Sequence, residues 1–392
     1  MQITDFRLTK QNGTIRAEST VIWEDTERSP LNLFVQTDAD FIDQIWADPN
    51  AFLVATILSA WDAGERRVLF HESLCPLLIN NLEGVYMMLK AWYPNDFGPV
   101  PTIEATEGMK TSIPTGKGVV SLMSAGIDSL CLLRANRLFY PLDHPDSIDA
   151  VLSVSHEEHI ASNRQELWDK FTGRMTAIRP IAKDASVAII PVIANMWWLK
   201  PDGYFYGQKS YSSFLSAITG MFGKGYNKGL IASSYDASFA NKPWGSNPQL
   251  DAYYSSSHFK MENSGTEMTR QRKVEIIADW PIGLQNIRVC QNDSSGGSNC
   301  GTCEKCIRTM LMLEAIGKLS ECTAFPRNDI DVELLNYLEL YDMLHSTDIH
   351  HDEEKLYMYG GIIPLLEKRG RKDLAAELNR ILNNLKERKM TS

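Results

Sequence analysis

The chain contains no apolar run of about 18 residues, so no membrane-spanning helix is expected. Its opening residues, Met1-Gln2-Ile3-Thr4-Asp5, show no basic-then-apolar leader, and a cytoplasmic location is expected. Positive charge is scarce: 39 Lys and Arg against 49 Asp and Glu give a net charge of −10. A nucleic-acid-binding face needs clustered cations to displace counterions, so a nucleic-acid partner is not expected. The basic runs Arg270-Gln271-Arg272-Lys273 and Lys368-Arg369-Gly370-Arg371-Lys372 read first as solvated helix faces. Internal repeats and low-complexity tracts are lacking. So is any G-x-x-x-x-G-K-[ST] phosphate loop, since Gly116-Lys117 precedes a strand instead of following one.

What is present is the make-up of a globular protein, with 392 residues, 44% apolar and 22% charged. Three parts are expected. In residues 1–115, alternation through Ile15, Ala17, Val21 and Trp23, and again through Leu31, Leu33 and Val35, predicts a hairpin or meander. Helices near Ala51 to Ala63 and Leu74 to Trp92 follow, with a short strand at Val68 to Phe70 between them, giving an α+β domain with no catalytic or metal spacing. In residues 116–322, strands from Gly118, at Ala150 to Ser155, Val187 to Ala194, Gly229 to Ser234 and Ile287 to Cys290 alternate with helices. Those helices are expected at Asp128 to Leu138, His159 to Phe171, Tyr211 to Phe222 and Glu267 to Asp279. The alternation predicts an α/β fold with a doubly wound, mostly parallel sheet. Residues 323–392 carry periodic apolar positions such as Leu334, Leu338, Leu374, Leu378 and Ile381, a helical extension or the contact surface of a homo-oligomer.

The most informative stretch joins the first strand of the second part to its helix. Gly118 to Met123 is apolar and runs into Ser124-Ala125-Gly126-Ile127-Asp128-Ser129. Small residues let the backbone bend so that successive N–H groups converge on an anion ahead of a helix N-terminus, and the Ser124 and Ser129 hydroxyls add donors. In doubly wound sheets ligands bind at the carboxyl ends of the strands, where this loop would lie. Ser155, ending the next strand, is expected on the same rim. The long segment from Tyr235 to Ser264, with Asp236 near its start, is the candidate substrate cover.

Four of the seven cysteines fall close together: Cys290, Cys300, Cys303 and Cys306, a C-x9-C-x2-C-x2-C pattern. In an intracellular chain this density points to metal and not to disulfides. Four thiolates make a closed tetrahedral Zn²⁺ site, hence a structural one. An iron–sulfur cluster is the competing reading, although the further cysteine and proline of a ferredoxin run are missing. Cys75, Cys131 and Cys322 read as buried thiols.

The loop resembles the S-G-G-x-D-S loop of the PP-loop ATP pyrophosphatases, with Ala125 where that pattern has its first glycine. Taken with Cys290, Cys300-Gly301-Thr302-Cys303, Cys306 and Arg308, it resembles the 7-cyano-7-deazaguanine synthase branch of that family over about residues 118–316. The resemblance implies an adenine nucleotide alpha hydrolase-like fold and an ATP- and Mg²⁺-dependent ligase or synthase. Such an enzyme activates a carboxylate or amide oxygen as an adenylate, releases pyrophosphate, and lets a nitrogen nucleophile expel AMP.

In that reading Ser124, Ala125, Gly126, Ile127, Asp128 and Ser129 hold the phosphates, with Ser155 near the nucleoside. Asp128, Ser124 and Lys273 are the catalytic candidates, while Arg270 and Asp236 face the substrate. The added N-terminal part and helical tail point away from nitrile synthesis itself. They favour a small, deazaguanine-like acid as substrate, with a partner protein as one candidate acceptor. Two other readings stay open: a PP-loop sulfurtransferase thiolating a nucleobase or tRNA, which needs a reactive thiol, and a non-catalytic nucleotide-binding scaffold.

Overall fold

In a computed structural model, which describes residues 1–111, 113–156, 164–239, 242–290, 298–345 and 349–391, ten strands form one sheet. They are β1 (Gln2–Gln11), β2 (Thr14–Ile22), β3 (Leu31–Asp38), β4 (Arg67–Phe70), β5 (Thr102–Ala105), β6 (Gly118–Leu122), β7 (Ile148–His156), β8 (Ala188–Ala194), β9 (Tyr226–Ala232) and β10 (Lys260–Ser264). Their order is β10-β9-β6-β7-β8-β3-β2-β1-β4-β5. Strands β7, β6, β9 and β10 are parallel to their neighbours, as are β7 with β8, β1 with β4 and β4 with β5. The β1–β2, β2–β3 and β3–β8 pairs are antiparallel. The result is an α/β fold with a large, mostly parallel sheet of the Rossmann-like kind.

Strand β6 is where the winding reverses. The chain leaves it for β7 and β8 on one side and returns as β9 on the other, the arrangement that opens a crevice beyond the carboxyl end of the central strand. Val119, Val120 and Ser121 are buried, as both faces of a central parallel strand require.

Several differences from the sequence expectation have local causes. β1 escapes an alternation search because its register shifts between Thr4 and Arg7, with Asp5 at a φ of 58°. β10 lies inside the segment expected to be a continuous loop. It is a polar edge strand in which Met261 alone is an apolar buried residue, so period-two patterning is absent. Ile287 to Cys290 forms no strand. Its backbone groups are bonded elsewhere, as described below. The expected helix from His159 begins in residues outside the described ones; its described part, Arg164–Asp184, runs well past Phe171.

By contacts the chain forms two compact units. The first comprises Met1–Met123, Asn136–Leu167 and Ala185–Glu267, and holds all ten strands. Residues 1–115 thus share one sheet with β6 to β10. Helix Pro49–Asp62 is buried along nearly its whole length in this unit, started by Pro49 and the Asp48 side-chain cap on Asn50 N–H.

The second unit comprises Ser124–Ala135, Trp168–Asp184 and Met268–Ser392. It contains helices Arg270–Ala278 and Glu304–Ala315 and the helices of the extension, Val332–His345, Ile349–Gly360, Ile363–Lys368 and Lys372–Thr391. No described helix is long and apolar enough to cross a membrane.

Candidate functional site

The Ser124 loop leaves β6 and turns at once into helix Ile127–Phe139. Ala125 takes a left-handed backbone with φ of 59°. That conformation is one an L side chain adopts at a cost of roughly 1–2 kcal/mol and a glycine adopts freely, which accounts for glycine in the motif the loop resembles. Ala125→Gly is accordingly expected to keep the loop and raise stability by up to about 1 kcal/mol; a lower melting temperature would contradict this reading of the turn.

The Ser124 side chain folds back into the loop. Its Oγ accepts from Gly126 N–H at 3.2 Å and lies 3.3 Å from Ser129 Oγ. Ser129 Oγ in turn accepts from Ser124 N–H at 3.3 Å and donates to the Gly126 carbonyl at 3.1 Å. The two hydroxyls thus hold the turn in shape as well as offering donors.

Asp128 sits in the first turn of the helix, at the positive end of its dipole. Its Oδ2 accepts from Arg270 Nη1, and its Oδ1 is 3.5 Å from Lys273 Nζ. Arg270 and Lys273 are three residues apart on helix Arg270–Ala278, whose Thr269 cap accepts from Arg272 N–H, and so they share one face. Arg270 is 8% exposed and Lys273 1%. These two are therefore not the solvated charges that a basic run suggests; only Arg272, paired with Glu275, fits that description. Oδ1 of Asp128 and Nε of Arg270 are buried and form no hydrogen bond among the described residues.

The four cysteines converge as their spacing predicts. Their sulfurs all lie within 4.8 Å of one another, with Cys300 to Cys306 at 4.0 Å and Cys303 to Cys290 at 3.9 Å. A tetrahedral ion with metal–sulfur bonds of about 2.3 Å needs sulfur–sulfur edges of roughly 3.8 Å, so the cluster can bind a metal such as zinc. An iron–sulfur cluster, with several atoms between its cysteines, needs them spread further apart.

Gly301, at φ 77°, makes the turn that aims Thr302 N–H and Cys303 N–H at the Cys300 sulfur, at 3.4 and 3.2 Å. Burial opposes ionisation of Cys300, but those N–H groups and the Thr302 hydroxyl outweigh it and hold the thiol below its ordinary value. The Cys303 side chain, and then burial, push the Cys306 thiol up; a bound cation reverses that balance.

Sequence reasoning missed Asn299. This buried side chain accepts from the N–H groups of Val289 and Cys290 at 2.9 and 3.2 Å, and donates to the carbonyls of Ile287 and Ala324 at 2.7 and 2.9 Å. Together with the bond from Arg288 N–H to the Ala125 carbonyl, 2.8 Å, it takes up the backbone groups that would otherwise pair in a strand. One short segment therefore joins the backbone of the Ser124 loop to a cysteine of the cluster. Nothing in the sequence around Asn299 marks it. Asn299→Ala orphans buried N–H groups, which should cost roughly 2–4 kcal/mol and weaken metal retention; unchanged melting and metal content would refute that role.

Ser155 and Asp236 belong to the first unit. Ser155 is buried near the carboxyl end of β7. Asp236 is buried four residues past β9, with its Oδ1 accepting from the backbone N–H and hydroxyl of Ser238. In the second unit Cys131 is 1% exposed, with its sulfur 3.9 Å from that of Met268. Comparison of the chain with protein-family models, curated proteins and solved structures finds no match.

Proposed function

We propose that the protein is an ATP-dependent, pyrophosphate-releasing ligase or synthase of the PP-loop kind, acting on a small, deazaguanine-like acid or amide. The observation that carries this reading is the convergence of Asp128 with Arg270 and Lys273 beside the Ser124–Ser129 turn. A carboxylate in that position can orient a hydrated Mg²⁺, and its buried Oδ1, 3.5 Å from the Lys273 ammonium, accepts no hydrogen bond among the described residues. Mg²⁺ supplies charge neutralisation on the phosphates.

The chemistry asked of the chain's own groups is electrostatic. The substrate oxygen attacks the α-phosphorus, the bond from that phosphorus to the bridging oxygen breaks, and pyrophosphate carries away the electron pair. Loop N–H groups, the Ser124 and Ser129 hydroxyls and the Lys273 ammonium stabilise the charge as it builds there. A nitrogen nucleophile, from a small molecule or a partner protein, then attacks the acyl carbon and AMP leaves. Arg270 is suited to an anionic substrate. Zinc held by Cys290, Cys300, Cys303 and Cys306 would have a structural role, since four thiolates leave no position open for a substrate.

Sulfur transfer is the weaker reading, because the thiol nearest the loop in sequence, Cys131, is buried on a helix. Isotope exchange between labelled pyrophosphate and ATP, run with a panel of acids, tests the proposal. Acid-dependent exchange supports it, and no exchange with any acid, where the same protein binds ATP, would count for a nucleotide-binding scaffold.

A further inference from the structure

The first unit holds a second set of reactive side chains, which the function proposed above does not use. Between helix Pro248–Ala252 and β10, Ser256 is half-buried and His258 is 4% exposed. Ser256 Oγ lies 3.1 Å from His258 Nδ1. On its other side the ring meets a segment 210 residues earlier, with Nε2 2.9 Å from Oδ2 of Asp48, itself 1% exposed. Hydroxyl, imidazole and carboxylate thus stand in one hydrogen-bonded line.

The partners of each group fix which way the protons point. A carboxylate oxygen accepts, so in the neutral ring Nε2 carries the hydrogen and Nδ1 keeps its lone pair. Phe259 N–H donates to Ser256 Oγ at 3.2 Å, which leaves the hydroxyl's own hydrogen for Nδ1. Asp48 is held in turn, its Oδ1 accepting from Asn50 N–H and Asn50 Nδ2, both at 3.0 Å. A hydroxyl on a base that a third group orients is the arrangement of an activated nucleophile.

A donor and a space lie beside the ring. Trp46 packs edge-on against His258, with ring centroids 5.4 Å apart, and its buried Nε1 has no acceptor among the described residues. Gly223 leaves the corner between them unfilled, since a Cβ there would stand 3.3 Å from Trp46 Nε1 and 3.5 Å from His258 Cδ2. An unsatisfied indole N–H next to the base suits an oxygen on which negative charge builds. The Gly220 carbonyl, 3.1 Å from the same point, narrows the corner, so the acyl group it suits is small.

We propose that Ser256 and His258 are the catalytic residues of a second, hydrolytic site, with Asp48 as positioning residue and an ester or thioester of a small acid as substrate. Ser256 Oγ attacks the carbonyl carbon as its proton passes to His258 Nδ1. The bond from that carbon to the alcohol or thiol breaks, and the leaving group takes the electron pair and the proton from Nδ1. Water, deprotonated by the same nitrogen, then releases the carboxylic acid and restores Ser256. All these residues belong to one unit, and the proposal stands or falls apart from the ligase reading.

The test is labelling of the full-length, metal-loaded protein with a fluorophosphonate, read by mass spectrometry of the modified peptide, beside its hydrolysis of p-nitrophenyl acetate. Ser256 should be the modified residue, and Ser256→Ala should abolish both signals. His258→Gln should slow labelling about 10²- to 10⁴-fold, the range of a general base. Asp48→Asn still offers an oxygen to Asn50 but turns an N–H towards the ring and imposes the wrong tautomer, so it should lower kcat about 10²-fold or more with KM unchanged. If His258→Gln fails to fold, Ser256→Ala decides, since it alters only a half-buried hydroxyl. No modification of Ser256 in the native protein, or ester hydrolysis as fast in Ser256→Ala, overturns the proposal. So does equal labelling of folded His258→Gln, which would leave the line of bonds a strap for the turn.

Discussion

Asp128→Asn is expected to lower ATP-dependent pyrophosphate release by about 10²- to 10³-fold, the scale of losing one preorganised electrostatic contact in a water-poor site. The amide keeps the shape of the carboxylate but cannot neutralise Arg270 and Lys273, which face its two oxygens, nor can it attract a divalent cation. Asp128→Ala goes further and should abolish release. It also leaves two buried cations without their carboxylate, a loss of roughly 3–5 kcal/mol, so a fall in melting temperature should accompany it. Metal bound by the cysteines should not change in either variant, because Asp128 supplies no ligand to that cluster. Steady-state pyrophosphate release and metal analysis of both variants check this. Near-normal release from Asp128→Asn would remove Asp128 from the chemistry.

Cys303→Ser should have the opposite profile. Losing one of four thiolates opens a site whose metal free energy is folding free energy, on the order of 10–16 kcal/mol for structural zinc at neutral pH. The protein should lose bound metal and solubility, and heat or a chelator should unfold it more readily. Cys303 immediately precedes helix Glu304–Ala315, and Cys290 lies two residues from the Arg288 N–H that holds the Ala125 carbonyl. Loss of metal should therefore loosen the Ser124 loop, so that on the proposed function ATP binding weakens even in the fraction that stays folded. Metal affinity should also fall as the pH is lowered, since the ligands bind as thiolates and protonation competes with the ion. A Cys303→Ser protein with full metal content and wild-type melting would show that the cluster is not a four-thiolate site.

The strand, turn and helix from Gly118 to Ser129 were legible because apolar, then small, then helix-starting residues follow one another without interruption. The cysteine cluster was legible because metal ligands impose short spacings on the chain. Arg270 and Lys273 could be singled out by residue type, but not their burial: a basic run looks the same whether it is solvated or closes on a carboxylate 142 residues earlier in the chain. The same limit hides the His258 and Asp48 pair, separated by 210 residues. Ile287 to Cys290 misleads for a different reason. Its β-branched residues favour a strand locally, but the Asn299 side chain and the Ala125 carbonyl compete for its backbone groups and win.

The most direct test is mass spectrometry of the nucleotide products when the protein is incubated with ATP, Mg²⁺ and a panel of small acids, including deazaguanine-like ones. Cleavage at the α-phosphorus yields AMP and pyrophosphate in equal amounts, dependent on the acid and lost in Asp128→Ala, and this is the predicted result. ADP with inorganic phosphate would contradict it.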